Sequence, residues 1–414
     1  MQLYSELFSK TRKEAPKDEV SRNAQLLIRA GFINKEMAGV YSYLPLGLRV
    51  LRKIENIIRE EMNALGGQEI LMTTLQDSSV WKKSGRWSES VVDNWFKTKL
   101  VNNGEELGIA NTHEEPLTQL LTNHVRSHND LPLYIYQIQT KFRNELRAKS
   151  GLMRGREFLM KDLYSFSENE EDFREFYEKC AESYLSIFKR VGLGEVVFRT
   201  FASGGSFSKF SDEFQALSDA GEDIIYVDDT KRIAVNKEVY TPEVLSSLSL
   251  SKESLQEKKA IEVGNIFPLG TRYAEVIGLS YLDDAGKRQH PYMGSYGIGL
   301  GRLMGAVVEI LSDDKGIVWP EEIAPYEYHL IVLGEGEVEK RAMRIADELE
   351  KKGASVLIDE RNVSGGVKFS DADLIGIPHQ LIVGEKTLEK EGFVECKERK
   401  SNKISMVEVN TLYE

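Results

Sequence analysis

Arg143, Glu145, Arg154 and Phe158 stand close together in FRNE at 142–145 and RGREFLMKD at 154–162. Arginine presents a rigid, permanently charged fork that matches phosphate oxygens two at a time. A glutamate beside it can accept from an exocyclic amine, and a phenylalanine offers a face for a purine ring. Arg143, Glu145, Arg154 and Phe158 are therefore candidate contacts for a nucleotide. The same residues also fit a solvated basic hairpin, and this segment alone does not separate the two readings. GSYGIGLGR at 294–302 adds a third arginine, Arg302, where a glycine-rich turn opens an apolar helix. It is not the dinucleotide fingerprint, because Arg302 stands where the third glycine belongs, and it lacks the Gly-Lys-Ser/Thr of a P-loop. Gly297, Gly299 and Gly301 remove bulk for close packing, and an arginine in so apolar a helix needs an anion or an acid.

These groups need elements to hold them. YIYQIQTKFR at 134–143 is β-branched and aromatic, REFLMKDLYSF at 156–166 returns, and a basic loop joins them, which predicts a long antiparallel hairpin. Ser167 with Glu170 has the spacing of a capping box for a helix reaching about Val191. GLRVLRKIENIIREEMNAL at 47–65 carries a helical apolar stripe that Gly66-Gly67 ends, and QEILM follows as a short strand. Residues 241–259 are Ser- and charge-rich and predict a surface linker or small helical excursion. WPEEIAPY at 319–326 marks a domain boundary. Beyond it strands and helices alternate, closing on a hairpin about Ser401-Asn402, as in a small α/β domain.

The chain has 414 residues, enough for two or three domains, with 41% hydrophobic and 29% charged residues. No apolar run is long enough to span a membrane, and the N-terminus lacks the apolar core of a signal peptide. The mature protein is expected to start at Met1. Two cysteines, Cys180 and Cys396, form no C-x-x-C, and the six histidines suggest no zinc, so no structural metal is expected and a reducing cytoplasm fits. Both cysteines are expected as buried small side chains rather than catalytic thiols. Net charge is −12, which speaks against a general nucleic-acid coat. Yet Lys141, Arg143, Arg147, Lys149, Arg154, Arg156 and Lys161 face only Glu145 and Glu157 in their segment. Such a confined basic stretch implies a local polyanion site.

FRNE, then Arg154-x-x-x-Phe158, then GIGLGR resemble motifs two and three of the class II aminoacyl-tRNA synthetases in order and spacing. The fuller resemblance is to the bacterial-type prolyl-tRNA synthetase family. It runs through SYLPLGLRVLRKIENIIREEMNALGGQEILM (42–72), WKKSGRW (81–87), NTHEEPLT (111–118), YQIQTKFRNE (136–145), GREFLMKDLYSF (155–166) and IEVGNIFPLGTRYAE (261–275). IDERNVSGGVKFSDADLIGIPHQLIVGE (358–385) resembles that family's anticodon-binding domain.

The resemblance implies an α+β catalytic domain over 1–322, an antiparallel sheet flanked by helices, and a C-terminal α/β anticodon-binding domain over 323–414. It implies ATP with Mg2+, L-proline and tRNA(Pro) as partners, and a homodimer formed by the 42–72 segment. Arg143 would meet the α-phosphate, Glu145 the adenine amine, Phe158 the adenine face and Arg302 the far phosphates, with Arg143 and Arg302 catalytic and Arg154 also on ATP. Thr112 and Glu114 would accept from the secondary ammonium of proline, while Met160, Asp162, Tyr164 and Ser295 would wall its ring. From sequence alone, Glu114 and Glu115 fit equally well as acids at a helix N-terminus. His113 is expected to support by hydrogen bonding, without catalysing.

Three positions depart from the family: Thr73 stands for a proline, Ser295 for a cysteine and Asn265 for a histidine. The largest departure is a deletion. Only 127 residues separate Phe166 from Gly294, so the family's inserted editing domain is absent and 241–259 is its remnant. The alternatives are another class II synthetase of threonyl or glycyl type, disfavoured for threonine by the missing zinc ligands, or a non-catalytic paralogue.

Overall fold

The computed structural model describes every residue except Arg147, Ser206, Glu391 and Glu414, and for Tyr413 the backbone alone. Arg147, one of the bases counted above, thus lies outside the described residues.

The hairpin read from sequence forms as Leu133–Phe142 and Glu157–Ser167, antiparallel, with Gln137 opposite Asp162 and Phe142 opposite Glu157. It lies within a nine-stranded sheet. Along that sheet run Gln68–Glu69, the two hairpin strands, Tyr292–Gly299, Gln256–Gly270, Asp223–Asp228, Ile233–Asn236, Val197–Ser203 and Phe210–Leu217. The last of these also pairs back onto Gln256–Gly270. One face is covered by helices. Pro45–Ala64 buries Leu46, Val50, Leu51, Ile54, Ile57, Ile58 and Met62, the stripe read from the sequence, and Gly66 at φ +80° turns the chain out of it. Glu170–Arg190 buries Phe173, Phe176, Tyr177, Cys180, Tyr184 and Phe188 against the same face. Strand alternation therefore leaves Asp162 and Tyr164 on the opposite face, where Tyr164 is buried with Leu117 and Leu121 of the helix Glu114–Leu121.

Several local expectations are corrected. The cap of Glu170–Arg190 is Asn169, whose side chain accepts from the Asp172 amide at 2.9 Å; Ser167 is occupied as the last residue of a strand paired to Tyr292. The glycines at 294–299 form a central strand rather than a turn, and the helix begins only at Leu300. At Gly294 a side chain would not fit, since a Cβ would lie 2.3 Å from the Tyr296 hydroxyl. QEILM contributes only Gln68–Glu69 as strand. The segment 241–259 holds a helix, Pro242–Ser247, a 3-10 turn and the start of the strand Gln256–Gly270. It belongs to a wider outgrowth with the hairpin Asp223–Asp228/Ile233–Asn236, cored by Val235, Val239, Leu245 and Leu250.

The C-terminal alternation folds as read. Val356–Asp359, Tyr328–Leu333 and His379–Gly384 are parallel, and Phe393–Glu398 and Ile404–Glu408 close the sheet as a hairpin, with Asn402 at φ +54° in its turn. One strand comes from elsewhere: Gln2–Leu3 pairs in parallel with Val356–Asp359, so the first residues of the expected 1–322 unit complete the sheet of the other. The boundary at 319–326 is likewise a packed seam. Trp319 is buried, donates to the Ile375 carbonyl at 3.0 Å and packs on Phe32. Both cysteines are buried and free, their thiols pushed up by burial to about 12 at Cys180 and about 11 at Cys396. Among the described residues no helix is long and apolar enough to cross a membrane.

Candidate active site

A solvent-open cleft lies on the face of the sheet opposite the helices Pro45–Ala64 and Glu170–Arg190. Arg143, Glu145, Arg154, Phe158 and Arg302, named from sequence for one ligand, all line it, together with Glu262, Asn265, Gly297 and Gly299. The glycines leave its floor bare where the central strand crosses it. Arg302 donates to Glu262 Oε2 at 2.7 Å and to the Glu262 carbonyl at 3.2 Å, so the acid anticipated for this arginine exists. Arg154 pairs with Glu222 at 2.8 Å. Arg143 has no acid. Its guanidinium lies 5.4 Å from the Phe158 ring centroid, Nη2 donates to the Asn111 carbonyl at 3.3 Å and Nε is buried without a partner. Burial, and then the Arg302 charge, lowers the Arg143 pKa. Such a guanidinium is a ready anion receptor. Near Glu262 the Glu213 carboxyl is pushed up, first by burial and then by the Glu262 charge.

A second, buried network adjoins it. Glu114 and Glu115 occupy the first turn of the helix Glu114–Leu121, so the helix-terminus reading of these acids also holds. Glu114 Oε2 accepts from Thr112 Oγ1 at 2.6 Å and Oε1 from Ser295 Oγ at 3.0 Å. Glu115 is held by Ser84 Oγ at 2.7 Å and by Arg86 Nη1 at 3.0 and 3.2 Å. Burial pushes the Glu115 carboxyl up, and the Arg86 charge opposes it. Beneath lies Asp162, accepting from Gln137 and Tyr164 at 2.9 Å each and paired with Lys141 at 2.8 Å. Burial would raise Asp162, but Lys141 and His113 outweigh it and hold the carboxyl below its usual range. His113 is buried; its Nε2 donates to the Thr73 carbonyl at 3.1 Å, which leaves Nδ1 to accept from Lys141 at 3.0 Å. Burial, and then Lys141, lowers His113 to about 4.

Thr112, Glu114, Asp162, Tyr164 and Ser295 are thus gathered in one network. Met160 is not. It lies on the floor of the cleft that Arg143 and Arg302 line, beside Gly297. Asp162 is no open wall either, since its oxygens face Lys141, Gln137 and Tyr164. Sequence reasoning missed Arg86, Lys141 and Glu262 as members of the site. Arg86 sits in WKKSGRW, where nothing local marks it, and Lys141 reads from sequence only as one base of a local polyanion site. Lys141 and Lys161 are both fully buried, Lys161 on the helix-covered face against the Tyr184 hydroxyl at 2.5 Å, so the basic stretch is not one patch.

Comparison with known proteins agrees with this geometry. A family described as the tRNA synthetase class II core domain (G, H, P, S and T) matches residues 95–311, and one described as an anticodon binding domain matches 327–414. Proline–tRNA ligase of a Wolbachia endosymbiont of Drosophila simulans is 40% identical over 426 residues, covering 98% of this chain and 97% of its own. The chain belongs to the proline–tRNA ligase family. The ligases of Zymomonas mobilis and Rickettsia africae are 38% and 37% identical, each over 99% of this chain and over 97% and 99% of their own. Among solved structures, prolyl-tRNA synthetase of Cryptosporidium parvum with halofuginone and AMPPNP has a TM-score of 0.78 at 18% identity, covering 95% of this chain and 75% of its own. That of Giardia lamblia with prolyl-adenylate has 0.77 at 21%, covering 94% and 75%. For these two the likeness is one of fold. Class II architecture, an antiparallel sheet with a C-terminal mixed domain, is therefore common to this chain and these ligases.

Proposed function

We propose that this protein activates L-proline with ATP and transfers it to tRNA(Pro). The observation that carries the reading is Arg143. It lines the cleft with Phe158 and Arg302 yet donates to the carbonyl of Asn111, the residue before Thr112, and so stands where the cleft meets the Glu114 network. A triphosphate and a zwitterionic amino acid would meet at that point. Phe158 and Glu145 would take the adenine face and amine, Arg143 the α-phosphate, and Arg302 with Arg154 the outer phosphates. Thr112 and Glu114 would take the secondary ammonium, with Ser295 fixing the Glu114 carboxylate. The proline carboxylate, already ionised, attacks the α-phosphorus in line and displaces pyrophosphate. A terminal ribose hydroxyl of tRNA then attacks the mixed anhydride carbonyl and AMP leaves. In the first step positioning and charge stabilisation suffice, without a general base, because the attacking carboxylate carries no proton; in the second the hydroxyl proton passes to the departing AMP phosphate.

Mg2+ would accompany ATP. Among the described residues no group of three His, Cys, Asp or Glu is arranged to hold a metal. Mg2+ bound with a nucleotide takes most ligands from phosphates and water, and needs one or two carboxylates. Glu262 beside Arg302 fits that need, and the ion would neutralise phosphate charge. We further propose a division near residue 322 between the catalytic and anticodon-binding domains, a cytoplasmic enzyme, and no editing in cis, since the outgrowth in place of the editing domain is a small hairpin and helix. A homodimer through 42–72 is supported by Leu71, 78% exposed just after the edge strand Gln68–Glu69. Sedimentation showing only monomer at micromolar concentration would refute it. For the activity, pyrophosphate exchange is measured with each of the twenty amino acids. Proline should dominate; exchange driven by another amino acid in its place would overturn the reading.

A further inference from the structure

The Glu114 network contains an arrangement that the reaction as described does not use. Arg86 is 2% exposed and sits in an aromatic box, its guanidinium carbon 4.6 Å from the Phe207 ring centroid, 5.3 Å from Trp81 and 5.6 Å from Tyr273. Two neighbouring carboxylates compete for it. Nη1 lies 3.0 and 3.2 Å from the two oxygens of Glu115, and 3.5 Å from Glu114 Oε2. Glu115 is itself fully buried and fixed by Ser84. One guanidinium against two carboxylates leaves one negative charge in a site sealed from water. That charge falls on Glu114, whose side-chain hydrogen bonds among the described residues come from the Thr112 and Ser295 hydroxyls, with Arg86 farther off at 3.5 Å. A buried uncompensated charge is costly unless something arrives to meet it.

We infer that Glu115 and Arg86 are positioning residues for amino-acid recognition: Glu115 holds Arg86 off Glu114, so that the Glu114 carboxylate stays open for the incoming ammonium. Neither residue touches the substrate. The inference rests on the reading that proline binds at Thr112 and Glu114. Its consequence is unusual for a buried ion pair, because removing the acid should harm binding by freeing the base. In Glu115→Gln the guanidinium moves the last few tenths of an ångström onto Glu114 and competes with the substrate ammonium. Removing Arg86 as well should undo the damage, since the site again carries one negative charge on Glu114.

The experiment measures proline-dependent pyrophosphate exchange and thermal melting for wild type, Glu115→Gln and the double variant Arg86→Met/Glu115→Gln. In Glu115→Gln the KM for proline should rise about tenfold or more, the scale of losing a charge-assisted hydrogen bond, with kcat and the KM for ATP little changed. In the double variant the KM for proline should fall back toward wild type. The double variant exchanges a buried pair for neutral side chains of similar length, a change that buried cores tolerate, so it remains a test if the single variant melts too low to assay. An unchanged proline KM in Glu115→Gln, or a double variant as impaired as the single one, overturns the inference. Wild-type enzyme without proline-dependent exchange would instead sink the substrate assignment beneath it.

Discussion

Replacing Lys141 with Met probes the charge buried under the site. Lys141 is fully buried, and its ammonium meets Asp162 Oδ1 at 2.8 Å, His113 Nδ1 at 3.0 Å and Gln139 Oε1 at 3.3 Å. Asp162 in turn accepts from Tyr164, whose hydroxyl accepts the backbone N–H of His113 at 3.1 Å, one residue before Glu114. Met fills the lysine stem but leaves a buried carboxylate without a counter-charge. Breaking such a pair costs about 3–5 kcal/mol. The pH dependence fixes the sign. In wild type the Asp162 carboxyl is held low by Lys141, so its contribution is present above the unfolded carboxyl range and lost as pH falls through the folded pKa. Without Lys141, burial pushes the same carboxyl above its unfolded value. The deficit is then full at neutral pH and relieved as acid protonates Asp162. Urea unfolding of Lys141→Met, Asp162→Asn and the double variant closes a mutant cycle. The double variant should recover most of the Lys141→Met loss, a coupling of about 2–3 kcal/mol. A loss under about 1 kcal/mol in Lys141→Met, or strict additivity, would refute the reasoning.

Arg143→Ala and Arg302→Ala should each lower proline-dependent exchange by about 10²–10³ with melting little affected, as when one charge-stabilising donor is lost; full exchange in either variant would remove its assigned role. His329 is fully buried with both ring nitrogens unpartnered and is held at about 4 by burial, with Asp359 opposing. Its folded pKa lies below the unfolded value, so stability present above pH ~6.5 is lost toward pH 4, and His329→Phe should flatten that part of the urea-midpoint profile. Alanine should be activated and its product left uncleared, because a pocket shaped for a ring cannot sterically reject a smaller side chain and each lost methylene is worth only ~1–3 kcal/mol. Ala-tRNA(Pro) hydrolysed by the purified enzyme well above its spontaneous rate would contradict this.

Much of this protein was legible before folding because its signals are local. The stripe in Pro45–Ala64, the hairpin strands and the C-terminal alternation each repeat with the period of a single element. Arg143, Glu145, Arg154, Phe158 and Arg302 could be grouped because their motif order carries the family's spacing, and they do line one cleft. Capping and strand ends were less legible. Ser167 has the composition of a cap, yet a neighbouring strand claimed it, and pairing between distant segments leaves no trace in a window of a few residues.

By itself, then, the chain determined which segments are helix or strand, which residue types could meet an anion or an ammonium, and the family to which they belong. Only the tertiary structure decided which charges neutralise one another. Lys141 and Lys161 are alike in sequence, both basic residues on adjacent strands, but one faces Asp162 on one side of the sheet and the other a tyrosine under a helix on the opposite side. Arg86 meets Glu115 across 29 positions, Glu262 meets Arg302 across 40, and Ser295 meets Glu114 across 181. Gln2–Leu3 finds its partner strand at Val356–Asp359. The physical reason is the range of the forces. Periodicity and propensity act between neighbours along the chain, whereas a buried charge is settled by whatever the fold brings within about 4 Å, where exclusion of water makes the choice of partner worth several kcal/mol.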